Sequence, residues 1–331
     1  MLGPMRIAFF AKSKRRTQTT RYIAAALERA GHEVLRPNER RRRRLLGKAA
    51  ARVWTLRSVV RFQPDLVLIH SNDASRATLE ALAPRFRTAL FTPDCWTSPL
   101  GGETLELARC VDLLLTVAKG QTSEFLDAGV RRAAYLAEAC DPSAHFPLEQ
   151  VDEAWVCDVA FVGKHNAAAS HYAPRSELVR AVCERFETKL YGSGWQGLGI
   201  APQREEVGPE DYRQVCRGAR IVLGRDWNDS CEWYFSNRTW FTLGCGGFLL
   251  SNYVPGLEQI FENHRELVWY RSAPECFELI EHYLARPEAR RRIAEAGRAF
   301  ALAHRTYDHF ARDLIDLVEG KPPAFPPPRS S

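Results

Sequence analysis

No apolar run in the chain approaches the ~20 residues that a bilayer-spanning helix needs; runs such as residues 67–69 and 248–250 are far too short. Nine cysteines are scattered singly, with no CxxC pair and no zinc-ligand spacing. That excludes a disulfide framework or a zinc module and points to reduced thiols. The opening MLGPMRIAFFAKSKRR lacks a signal-peptide layout, because its apolar stretch is brief and a basic loop follows. A cytoplasmic protein is expected, with a peripheral position at the inner membrane face left open. No GxGxxG follows the first predicted strand, where FFAKSKRRTQTT stands, so a nicotinamide or flavin dinucleotide fingerprint is missing. A Walker lysine loop, a GxSxG elbow, an HExxH pair and short internal repeats are missing too. These absences remove several common enzyme classes.

What is present is a globular composition, 45% hydrophobic and 26% charged over 331 residues, enough for two ordinary domains. Strand-like runs at 6–10, 32–35, 66–70, 88–92, 113–117 and 132–136 alternate with helical periods at 19–30, 45–61, 75–82, 103–110 and 121–128. A segment at 139–155 with Asp141-Pro142 and Pro147 interrupts the pattern. It then restarts with strands at 157–162, 188–191, 221–223, 247–250 and 267–270. Helices are predicted at 175–186, 209–217, 237–245, 255–262, 273–285, 287–304 and 308–319. Such alternation predicts two parallel, doubly wound α/β sheets. The proline-rich tail from Lys321 reads as disordered.

The net charge of +6 is unevenly spread. Arg40 to Arg44 form an unbroken run, with Arg36 before it and Lys48, Arg52, Arg57 and Arg61 after it. The run fits an anionic neighbour such as phospholipid, a phosphorylated acceptor or nucleic acid, or else a solvated helix face. Cations crowding a first helical turn oppose the macrodipole, so either the helix begins near Leu45 or something anionic compensates.

The second half concentrates the chemistry. Its predicted strands end in FVGK (Gly163, Lys164), YGSGW (Gly192, Gly194, Trp195) and LGRDWND (Arg225, Asp226). SNRTWFTLGCGG then starts a helix at Ser236 or Asn237 beside Arg238, and YVPGLEQ brings Gly256, Leu257 and Glu258 to the same rim. A helix N-terminus with an arginine suits a phosphate. Glycines at strand ends admit a ligand close to the backbone, although each is also an ordinary α/β turn. Together they predict a diphosphate-bearing nucleotide site.

These stretches, with ELIEHYLARPEARRRIAEAGRAFALAHRTYDHF and, more loosely, FTPDC and YLAEACDPSAHFPLE, resemble the CgeB-type (spore-maturation-protein-like) glycosyltransferases, relatives of the group 1, family-4-like enzymes. The resemblance runs from Arg6 to Phe310. It implies a GT-B fold: two facing Rossmann-like doubly wound domains with an interdomain cleft. Residues 1–145 would form the acceptor domain, 146–156 a linker, 157–305 the nucleotide-sugar donor domain, 306–320 a terminal helix and 321–331 the tail. It implies a nucleoside-diphosphate sugar as co-substrate, no cofactor and no catalytic metal. Phe241 stands where the family usually carries a glutamate that holds the donor ribose, and Phe310 where an arginine is common.

Glycosyl transfer needs a stabilised leaving diphosphate and, where configuration inverts, a base for the acceptor hydroxyl. Arg238, Lys164 and Arg225 suit the first task. Asp94 in FTPDCW is the preferred base, with His70 and Asp73 in LIHSND beside it; a turn aspartate and a packed histidine are the plain alternatives. Lys12, Lys14, Arg15 and Arg16 in the first strand-end loop are expected to meet an anionic or carbohydrate acceptor. Two other classes stay open: a nucleic-acid-binding or DNA-modifying transferase, and a nucleotide-sugar binder without turnover.

Overall fold

The computed structural model describes residues 3–12 and 19–327, with the backbone alone of Arg40. Its contacts divide the chain into two units, Met1–Glu138 with Tyr307–Phe325 and Ala139–Thr306 with Pro326–Ser331.

The first unit is built on six parallel strands: β1 (Arg6–Phe10), β2 (Glu33–Leu35), β3 (Leu66–His70), β4 (Arg87–Thr92), β5 (Leu113–Thr116) and β6 (Ala133–Tyr135), in the order β2-β1-β3-β4-β5-β6. Successive residues of β1 and β3 are buried, so these strands read as continuous apolar runs rather than alternating ones. Phe10 pairs with Ile69 and Ile69 with Leu90, which fixes the register of the central strands. One face packs Val67, Ile69 and Leu90 against Val59, Leu79, Leu105 and Phe125. The terminal helix Tyr307–Val318 joins this unit through Tyr307, which donates to Glu138 at 3.0 Å and stacks on Tyr22. Phe310 is wholly buried, edge-on to Phe91. Past that helix the Ala324 N–H donates to Asp313 and Phe325 is buried, so the proline-rich stretch through Phe325 is packed rather than disordered. Residues 328–331 lie outside the described residues.

The helix expected at 45–61 is two helices, Glu39–Leu46 and Lys48–Phe62, broken at Gly47 with φ +76°. The first can start among arginines because Asn38 caps it, accepting from the Arg41 N–H, and Glu39 supplies an acid in its first turn.

The second unit has five parallel strands: β7 (Cys157–Val162), β8 (Thr188–Tyr191), β9 (Ala219–Gly224), β10 (Leu249–Asn252) and β11 (Val268–Tyr270), in the order β11-β10-β9-β7-β8. Val159 and Phe161 pack on one face with Val179 and Trp195, while Ala160 and Tyr191 pack on the other with Tyr212 and Val215. Residues 139–156 pack within this unit: Cys140 bonds the Arg305 carbonyl, and Trp155 stacks on Tyr191. The expected helix at 255–262 is only the short 3-10 turn Leu257–Gln259, because Ile260 and Phe261 turn into the core after it. None of the nine cysteines forms a disulfide.

Both sheets reverse strand order once beside their first strand, at β1/β3 and at β7/β9. The carboxyl ends there flank the crevice in which doubly wound sheets bind ligands.

Candidate functional site

At the β7/β9 switch the chain leaves β7 through Gly163 and Lys164. A Cβ on Gly163 would stand 3.1 Å from Arg238 Nη1 and closer still to the Phe161 ring, so the missing side chain lets the guanidinium approach the strand end. Gly192, at the end of β8, has φ +115°, and a Cβ there would meet the Gly163 carbonyl oxygen at 2.1 Å. No other residue type fits that crossing. Gly194 lies in the same loop, passing over His165. Trp195 points inward instead. It is fully buried, edge-on to Phe161, and its indole N–H donates to the Gly163 carbonyl at 2.8 Å. Trp195 therefore braces the loop and offers no ligand-facing ring.

Arg225 and Asp226 follow β9. Asp226 is 4% exposed and organises the centre: its N–H donates to Asn252 Oδ1 at 2.8 Å, and its carboxylate accepts from the Ser236 N–H at 3.1 Å and from Arg238 Nη2 at 2.8 Å. Arg225 is nearly buried, donates to the Asp226 carbonyl and pairs with the exposed Asp229 at 2.9 Å. The carboxylate that pairs with Arg238 is thus Asp226; Glu258, exposed on the 3-10 turn after Gly256, accepts from the Tyr253 hydroxyl at 2.8 Å. Leu257 is buried, so only its backbone is available.

The helix Asn237–Gly244 has Ser236 at its N-cap, but neither Ser236 nor Asn237 caps it with a side chain. The Thr239 N–H bonds the Ser236 carbonyl at 3.1 Å, and the amides of Asn237 and Arg238 are left for an outside acceptor. Phe241 stacks on His145 with ring centroids 4.0 Å apart, which explains an aromatic ring at that position: it closes on a buried imidazole.

Sequence reasoning missed Arg175. It stands in the first turn of the helix Ala173–Arg185, is 4% exposed, lies over the Tyr172 ring at 4.2 Å and donates to the Lys164 carbonyl. Its Nε is buried without a partner. Burial first, and repulsion from Arg238 second, pull its pKa down to about 10. Burial also pulls Arg238 down, but Asp226, Tyr212 and Tyr234 more than reverse it, and its pKa is raised. The available signal was an arginine in a first helical turn, where the dipole disfavours it. Lys164 itself is exposed. Arg175, Arg225 and Arg238 thus lie near one another with a single buried carboxylate, Asp226, paired to Arg238, and an anion would balance the excess charge.

The β1/β3 switch of the first unit holds a different set. Asp73 accepts from the Lys12 N–H at 2.9 Å and pairs with Lys12 Nζ at 3.2 Å. His70 Nδ1 lies 3.3 Å from Ser71 Oγ and 3.9 Å from Asp73, while its Nε2 is buried without a partner. Burial, chiefly, lowers the His70 pKa to about 4, so the ring is neutral at pH 7. Asp94 is exposed after β4, the neighbour of β3. Lys14, Arg15 and Arg16 lie outside the described residues. Among the described residues no group of three or more His, Cys, Asp or Glu side chains is arranged to hold a metal, and no helix is long and apolar enough to cross a membrane.

Residues 175–316, from Arg175 through the terminal helix, match the model of a family described as glycosyl transferase-like. No protein of curated function matches the chain in sequence. HepE of Anabaena, solved with UDP and glucose, superposes with a TM-score of 0.65 at 12% identity, over 96% of this chain and 100% of its own. Sucrose-phosphate synthase of Thermosynechococcus elongatus gives 0.63 at 12% identity, over 96% and 98%. A glycosyltransferase of Rickettsia africae gives 0.66 at 8% identity, over 96% and 99%. The fold is GT-B. Family match and GT-B fold together support a glycosyltransferase, and the matched region contains Arg175, Arg225, Asp226 and Arg238.

Proposed function

We propose that the protein transfers a sugar from a nucleoside-diphosphate sugar to an acceptor hydroxyl, without a catalytic metal, and that within GT-B it is of the CgeB type. One observation carries the reading: Arg238, paired with the buried Asp226, lies beside Arg225 and the partly unpartnered Arg175 at an uncapped helix N-terminus. Solved complexes of HepE with UDP and with UDP-glucose make a uridine donor the first to try.

In this mechanism the bond from the anomeric carbon to the diphosphate oxygen breaks, and charge grows on the leaving group. Arg238, fixed by Asp226, and the amides of Asn237 and Arg238 stabilise that charge more in the transition state than before it. Arg175 and Lys164 add positive potential at the end of β7, and Gly163, Gly192 and Gly194 keep the approach open. Phe241 leaves ribose recognition to Glu258 and the backbone of Gly256 and Leu257. The acceptor oxygen attacks the anomeric carbon and its proton passes to Asp94 in an inverting transfer. His70 suits that role less well, since its Nε2 is buried and its Nδ1 faces Ser71, whereas Asp94 is exposed. Lys12 and the loop after it are assigned to the acceptor.

Thermal-shift screening against nucleoside diphosphates and their sugars, with and without chelator, tests the proposal. Ligand at a hundred times its Kd stabilises by about 2.7 kcal/mol. Stabilisation that survives chelator, followed by transfer or hydrolysis, supports it; no stabilisation, or strict metal dependence, overturns it. Phe241 at the ribose position favours one second reading, a binder without turnover, which the same nucleotides would reveal as binding without product.

A further inference from the structure

The helical hairpin Glu39–Leu46 and Lys48–Phe62 carries a surface that sugar transfer does not use. The second helix buries a narrow stripe, Ala51, Thr55 and Val59. At about 100° per residue, Ala50, Val53, Arg57 and Arg61 project from the opposite side. Four of the six large apolar side chains exposed among the described residues lie in this hairpin: Leu45 (72%), Leu46 (54%), Val53 (45%) and Trp54 (47%). Their concentration is not the scatter of an ordinary surface.

Charge is concentrated there as well. Ten basic residues and one acid lie between Arg36 and Arg61. The acid, Glu39, is buried and accepts from the backbone N–H and hydroxyl of Ser75. Among the described residues no ion pair engages Arg41, Arg43, Arg44, Lys48, Arg52, Arg57 or Arg61. Arg42 lies 3.2 Å above the Trp54 ring and joins the two helices, yet nearly half of that ring stays exposed.

Duplex nucleic acid would engage the arginines and leave Leu45, Leu46 and Val53 in water. An anionic phospholipid surface satisfies both features, because its headgroups take the guanidinium groups and its acyl boundary takes the apolar side chains. A tryptophan is favoured at that depth. We infer that the 39–62 hairpin docks the protein on anionic bilayers, with Leu45, Leu46, Val53 and Trp54 entering the interface. The inference is independent of the sugar-transfer reading and fails or stands separately from it.

Flotation of the full chain with phosphatidylcholine vesicles, with and without phosphatidylglycerol, tests it, alongside binding to duplex DNA. The wild type is expected to float only with the anionic vesicles. Arg41→Gln/Arg43→Gln/Arg44→Gln should lose partitioning on the order of a hundredfold, at roughly fivefold per basic residue. Leu45→Ser/Leu46→Ser/Trp54→Ser should lose it on the order of tenfold while any DNA binding is unchanged. Leu45→Gln/Leu46→Gln, which keeps the Arg42–Trp54 contact, serves should the triple variant melt early. Wild type that stays down, or apolar variants that float as wild type does, would overturn the inference and leave a polyanion face or a solvated one.

Discussion

Among the described residues at the switch point of the first sheet, one ammonium group meets one buried carboxylate, Lys12 on Asp73, and His70 beside them is held neutral by burial. At the same topological place in the second sheet, Arg238 pairs with the buried Asp226, Arg225 with the exposed Asp229, and a guanidinium nitrogen of Arg175 has no partner. The sheets are alike in strand direction and in where their order reverses. Among the described residues, side chains alone make one set charge-balanced and the other in excess of positive charge. A fold of this kind supplies a place for a ligand, and the residues at the strand ends decide its sign.

The largest expected effect breaks the second set. Arg238→Ala leaves Asp226 buried and uncompensated, at roughly 3–5 kcal/mol of stability, read as a lower urea midpoint. Adding Asp226→Asn should return most of that. If the double variant is stable yet transfers a hundred- to thousandfold more slowly, the deficit of roughly 2.7–4 kcal/mol matches the loss of one oxyanion-type donor. Turnover that recovers together with stability would reduce Arg238 to a support for the loop. Arg238→Lys keeps the charge but loses the fork, and should stay slow.

Acid should break the first set. His70 and, in the second unit, His145 are both pushed from 6.5 to about 4, chiefly by burial. Between those values the unfolded chain binds protons that the native state refuses. Stability is therefore complete above about pH 6.5 and falls as pH drops toward 4, by up to roughly 3 kcal/mol for each ring. Urea melts across that window should show the slope, and His70→Asn should remove about half of it. A slope indifferent to His70→Asn would mean that the ring is not buried in solution.

The smallest effect sharpens the edge of the second set. Glu258 is exposed and, among the described residues, accepts from Tyr253, so Glu258→Gln should change stability by less than about 0.5 kcal/mol. If the carboxylate holds a ribose hydroxyl, nucleotide Kd should rise about tenfold by calorimetry. An unchanged Kd would remove Glu258 from the donor site.

Strands β1, β3 and β7 were legible to the residue, because a largely buried strand is a compact apolar run between turn residues; the edge strand β8 was found at its bounds although only Leu190 and Tyr191 are buried. The helices at 45–61 and 255–262 were misread for local reasons. Gly47 breaks a period that continues across it, and Ile260 and Phe261 leave the expected helix to enter the core. In the second site the glycines and Arg238 could be found, since strand ends and helix starts carry recognisable residue types. Asp226 as the hub and Arg175 as its neighbour could not, because their pairing joins residues 12 and more positions apart through burial and charge.

The sequence by itself determined the alternation of strands and helices, the two sheets, and which strand ends carry glycine or charge, for these depend on periodicity and local propensity. Only the tertiary structure decided that Trp195 faces inward, that Phe241 closes on His145, and that Arg238 answers to Asp226 rather than Glu258. Those choices follow from which buried polar groups find partners once the strands are in register, and no local pattern encodes that.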